Sequence, residues 1–75
     1  MRVRELWVGN LPEGATKEMV YSHFFIFGEI ENVELDRQNK QYPFYALVRF
    51  KLMSCAKRAF DSTQGLEIMG SKVKV

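Results

Sequence analysis

The stretch Tyr42-Pro-Phe-Tyr-Ala-Leu-Val-Arg-Phe50 limits the possible folds of this chain more than any other. Its side chains alternate in character, as those of a strand do when one face enters a core and the other meets water. Ala46, Val48 and Phe50 form the inward set, and Tyr45, Leu47 and Arg49 the outward one. An earlier run, Leu6-Trp-Val-Gly-Asn-Leu11, alternates in the same way, with Leu6 and Val8 on one side and Trp7 and Gly9 on the other. Laid side by side, the two strands bring Trp7, Tyr45 and Arg49 onto one exposed surface. Two aromatic rings and a guanidinium on an open sheet make a stacking platform for unpaired bases.

The rest of the chain supplies what a sheet with one open face requires. Asn10-Leu-Pro-Glu-Gly14 breaks the first strand with turn residues. Thr16 is placed as a helix N-cap, with Glu18 in the first turn where a carboxylate suits the helix dipole. Val20, Phe24 and Phe27 then recur at helical spacing until Gly28 closes the segment. Ile30 to Asp36 reads as a second strand with Val33 and Leu35 inward and Glu34 and Asp36 outward, and a polar loop, Arg37 to Gln41, follows. Met53 to Gln64 reads as a second helix whose Ala56, Ala59 and Phe60 make an apolar side, ended by Gly65. After Gly70 comes a last strand with Val73 and Val75 inward and Lys72 and Lys74 outward.

The order strand, helix, strand, strand, helix, strand predicts an α+β fold. It is the ferredoxin-like split βαβ sandwich, a four-stranded antiparallel sheet with two helices on one face. With 75 residues and no internal repeat or linker, the chain reads as a single domain spanning 1–75. Phe24, Phe27, Val20, Phe50 and Phe60 are its expected core. The single cysteine, Cys55, excludes an internal disulfide framework and a Cys-x-x-Cys metal clasp, and points to an intracellular, reducing setting. No apolar run has the length of a membrane span. The net charge of +2 permits contact with phosphates without demanding it.

Over its full length the chain resembles the RNA recognition motif family. Leu6-Trp-Val-Gly-Asn-Leu11 fits the family's first signature, and Phe24 to Ile30 resembles its usual exit from the first helix. Phe50, Ala56, Ala59 and Gly65 fall at the family's spacing for the third strand and second helix. Glu5 to Glu13 also looks like the opening domain of Spen-type nuclear regulators. The second signature, Lys/Arg-Gly-Phe/Tyr-Gly/Ala-Phe-Val-x-Phe/Tyr, is kept at Tyr45, Ala46, Val48 and Phe50. It is lost at Pro43, Phe44 and Leu47, where the family has a basic residue, a glycine and an aromatic.

The resemblance implies single-stranded RNA as partner, with Trp7 stacking a base, Tyr45 and Leu47 flanking it, and Arg49, Lys72 and Lys74 neutralising phosphates. Asn10, Arg37 and Lys40 stand where the family also grips nucleic acid. Base–aromatic stacking is worth roughly 1–3 kcal/mol per base. Leu47 in place of an aromatic therefore lowers affinity by about tenfold, and neighbouring domains or other proteins would add avidity. Glu34 and Asp36, on the same face, repel a backbone passing over the second strand. No metal or organic cofactor is implied: His23 has no partner ligands in the sequence, and Cys55 has no catalytic histidine arrangement. The expected state is a monomer inside the cell, in the nucleus rather than the cytoplasm.

Two other functions fit the same plan. A protein-contact module would explain Pro43, Phe44 and Leu47. The peptide-binding branch of the family, however, carries Arg-x-Phe before its last strand, where this chain has Gly65-Leu-Glu-Ile-Met-Gly70. An acylphosphatase-like enzyme would need a basic phosphate cradle after the first strand, and Asn10 to Gly14 offers an acid and no base. The expectation is that the chain is not an enzyme.

Overall fold

The computed structural model of the chain describes residues 4–37 and 44–75. Strand β3 (Tyr45–Phe50) lies between β1 (Glu5–Val8) and β2 (Ile30–Asp36) and runs antiparallel to both. The alternation of the sequence becomes register here. Leu6 faces Val48 and Val8 faces Ala46 on the core side, and all four are buried. Trp7 faces Leu47 on the other side. Ile30 and Val33 are an odd number of residues apart, yet both pack in the core. A bulge between Ile30 and Asn32 absorbs the mismatch, so Ile30 pairs with Phe50 and Val33 with Val48.

Thr16 caps α1 (Lys17–Phe24) as its position suggests, its hydroxyl accepting the Met19 N–H at 3.2 Å. The helix is shorter than the spacing of its phenylalanines implies. It stops at Phe24, and Phe25–Phe27 tighten into one 3-10 turn before Gly28. Gly28 has φ 150, and a Cβ there would overlap the Cys55 side chain. The chain thus leaves α1 through a gap that only glycine fits.

Helix α2 (Met53–Ser62) packs on β1, β3 and the 3-10 turn through Ala56 and Ala59, both fully buried. The expected core position of Phe60 is corrected, since its ring is 38% exposed. The inward stripe of α2 runs through Ala56, Ala59 and the capping Thr63, and Phe60 flanks it at the helix margin. Phe24 and Phe50, both fully buried, fill the core instead. Small residues on α2 let the helix sit close to the sheet.

The last part of the chain departs from the expected four-stranded sheet. Glu67–Ile68 (β4) and Ser71–Lys72 (β5) form a separate two-stranded hairpin. Met69 and Gly70 turn it with φ of 54 and 78, the paired left-handed conformation that suits a tight hairpin. The C-terminal segment meets the end of β1 through a bridge between Lys74 and Gly9. Their N–H groups and carbonyls exchange hydrogen bonds of 2.6 and 2.9 Å. Beyond that point Asn10, at φ 59, turns the first strand away. Among the described residues the sheet is three-stranded, with the C-terminal segment joined to it as a clasp.

Candidate functional site

The face of the sheet opposite the helices carries the residues that the alternation sets outward. In one row across the strands stand Trp7, Leu47 and Glu34; in the next, Tyr45 faces Asp36. The Trp7 and Tyr45 rings have centroids 5.9 Å apart and are tilted by 32°. Trp7 is 36% exposed, and Tyr45 and Leu47 are half-buried. The indole does not stand upright from β1. It lies across Gly9, where any Cβ would overlap its ring. The missing side chain thereby lets the indole extend toward Tyr45 as a joined aromatic floor. The sequence placed Gly9 on this face without indicating this role; a glycine two residues after a tryptophan in one strand was the available signal.

Polar groups frame the floor unevenly. The Tyr45 hydroxyl donates to the Asp36 carboxylate at 3.0 Å, fixing the phenol toward β2. Asn32 Nδ2 donates to Glu34 Oε1 at 3.1 Å along the same strand. Arg49, exposed in the adjoining row, makes a 3.4 Å ion pair with Glu5. On the opposite edge, Lys74 sits across from Gly9, and Lys72, two residues earlier, is exposed too. Asn10, Lys72 and Lys74 line a concavity of about 500 Å³ together with Gln64, Gly65, Val73 and Val75. Carboxylates border one side of the platform and lysines the other.

The structure brings Trp7, Tyr45, Leu47, Arg49, Lys72 and Lys74 around one face. It sets Arg37 and Asn10 to different tasks. The Arg37 guanidinium donates to the carbonyls of Glu13 at 2.7 Å and Ala15 at 3.0 Å, and it lies 4.0 Å above the Phe44 ring. It therefore ties the connection between β1 and α1 to the start of β3. Asn10 Nδ2 donates to the Lys72 carbonyl at 3.2 Å and anchors the C-terminal hairpin. Lys40 lies outside the described residues. Among the described residues no group of three His, Cys, Asp or Glu side chains could hold a metal ion.

An antiparallel face with aromatics in its centre, backed by two helices, is an architecture for unpaired bases. The chain belongs to the RNA recognition motif family, whose family model matches residues 6–74. It is 37% identical over 60 residues to the Msx2-interacting protein of Homo sapiens, covering 79% of this chain and 2% of that protein. That relative is of the Spen type, as the residues from Glu5 to Glu13 suggest. Probable RNA-binding protein 23 of Homo sapiens is 32% identical over 72 residues, covering 93% of this chain and 16% of that protein. Among solved structures, the Sxl-lethal protein in complex with RNA superposes with a TM-score of 0.82 at 25% identity. That match covers 96% of this chain and 44% of the other. The chain thus spans only a small part of these curated relatives.

Proposed function

We propose that this domain binds short single-stranded RNA on the open face of its sheet, in an intracellular and nuclear setting. One base stacks on Trp7, with Tyr45 and Leu47 beside it, and Arg49, Lys72 and Lys74 meet the phosphates. The observation that carries this reading is the pair of rings 5.9 Å apart on the water-facing side, bordered by lysines. Arg37 and Asn10 support the site by holding its loops. Leu47 supplies apolar contact without the stacking of an aromatic, and Glu34 repels phosphate, so affinity per domain is weak and avidity comes from neighbouring domains. The RNA-binding protein named among its relatives and the RNA complex among its structural neighbours support the same reading. The test is a titration of the isotope-labelled domain with pooled short single-stranded RNA, read on backbone amides. Shifts at Trp7, Gly9, Tyr45 and Lys74 are expected, and a silent sheet face overturns the reading.

A second reading, contact with another protein, is favoured by one observation on the helical side. Tyr21 and Phe25 stack at 5.8 Å with their planes 2° apart, both exposed, and Ile26 beside them is 68% exposed. Amide shifts there on addition of a protein partner, with none on the sheet, would favour it.

A further inference from the structure

We infer that Glu34 is a specificity-determining residue of the platform, selecting guanine over uracil for the base stacked beside Trp7. The inference rests on the RNA reading above and names what the site prefers. Trp7, Leu47 and Glu34 stand in one row. Neighbouring strands are about 4.8 Å apart, so Glu34 lies about 10 Å from Trp7 across Leu47. A base lying on Trp7 and Leu47 therefore presents one edge to β2.

Charge decides which edge. Lys72 and Lys74 lie beyond β1, whereas Glu34 and Asp36 lie along β2. A phosphate backbone anchored on the lysines, with Arg49 at the β1 side beside Glu5 as its further contact, keeps clear of the β2 carboxylates. The base therefore reaches from the β1 side toward β2 with its pairing edge leading. The group it meets there is an oriented carboxylate. Asn32 Nδ2 donates to Glu34 Oε1 at 3.1 Å, which steers the carboxylate along the strand. An ionised carboxylate has about four acceptor sites, so this bond leaves acceptor capacity for a base. Asp36 is turned instead to the Tyr45 hydroxyl.

A carboxylate only accepts hydrogen bonds. Guanine offers two adjacent donors, N1–H and the N2 amino group, which match two carboxylate oxygens in parallel. Uracil offers a single N3–H flanked by two carbonyl oxygens, which a carboxylate repels. Adenine and cytosine, with one exocyclic amino group each, fall between.

The experiment titrates the 75-residue domain calorimetrically with pentauridylate and with the same oligonucleotide carrying guanine at its middle position. The guanine-containing oligonucleotide should bind about tenfold tighter, within the range of a good bidentate contact. Glu34→Ala should bring the two affinities together, because Glu34 is exposed and its removal leaves the stacking floor in place. Glu34→Gln, of nearly the same shape, has one donor and one acceptor that match uracil N3–H and O4, and should favour pentauridylate. Equal affinity of the unaltered domain for both oligonucleotides overturns the inference, as does a guanine preference that survives Glu34→Ala. Either result leaves the RNA reading standing, whereas absence of binding to both oligonucleotides removes that reading too.

Discussion

The indole of Trp7 lies across the backbone of Gly9, filling the space a side chain would take. Gly9 is also the residue through which the C-terminal segment bonds to the sheet, at Lys74. One position thus serves the aromatic floor and the clasp. Gly9→Ala should push the indole off the floor and weaken RNA binding by about fivefold or more, part of the value of a stacked base. Stability should change by no more than about 1 kcal/mol, because alanine suits an extended backbone better than glycine. Trp7→Ala should weaken binding by about ten- to hundredfold, again with a small change in stability. Calorimetry and urea unfolding on both variants check the separation; loss of the fold in Trp7→Ala would place the ring in the interior.

Lys72 and Lys74 predict a different signature. Glu substitutions at both should lower affinity evenly across RNA sequences, since phosphate contacts carry no base information. They should also flatten the salt dependence. With each lysine meeting one phosphate, the log–log slope of affinity against salt should become shallower by about 1.4. Titrations at several salt concentrations measure it.

Arg37 should matter to stability more than to affinity. Arg37→Ala removes two hydrogen bonds to carbonyls and the contact with the Phe44 ring. A loss of about 1–2 kcal/mol is expected, visible as a lower urea midpoint. Arg37→Lys should restore little, because a single ammonium cannot reproduce a planar fork spanning two carbonyls and a ring. The folded fraction should lose affinity by less than Trp7→Ala does, because Arg37 holds loops beside the site and is not part of the stacking floor.

The phenylalanines separate core from margin. Phe24→Ala should destabilise the domain by about 3–5 kcal/mol, since the ring is fully buried. That is comparable with the total stability of so small a domain. Phe60→Ala should cost less than about 1 kcal/mol, in keeping with a ring at the helix edge. Thermal melts of the two variants give the comparison directly.

What could be read from the sequence was whatever local periodicity determines. The alternation in Leu6–Gly9 and Tyr45–Phe50 placed Trp7 and Tyr45 on one face, and Thr16 announced the start of α1. Phe60 misled because it is apolar and close in sequence to Ala56 and Ala59; which side of the stripe is buried depends on how Phe24 and Phe50 fill the core. The C-terminal hairpin was hidden for another reason. Its turn places Met69 in a left-handed conformation that nothing about methionine suggests, and Asn10, at φ 59, turns the first strand away before a fourth can pair along it. The bonds of Arg37 to Glu13 and Ala15 join residues more than twenty positions apart, beyond the reach of any local pattern.

The chain contains one tryptophan, and that residue is the platform ring. Excited at wavelengths too long for its three tyrosines to absorb, the domain therefore emits entirely from the surface proposed to take a base. A stacked nucleobase would quench that emission in proportion to occupancy, so the native chain carries its own optical probe and needs no dye.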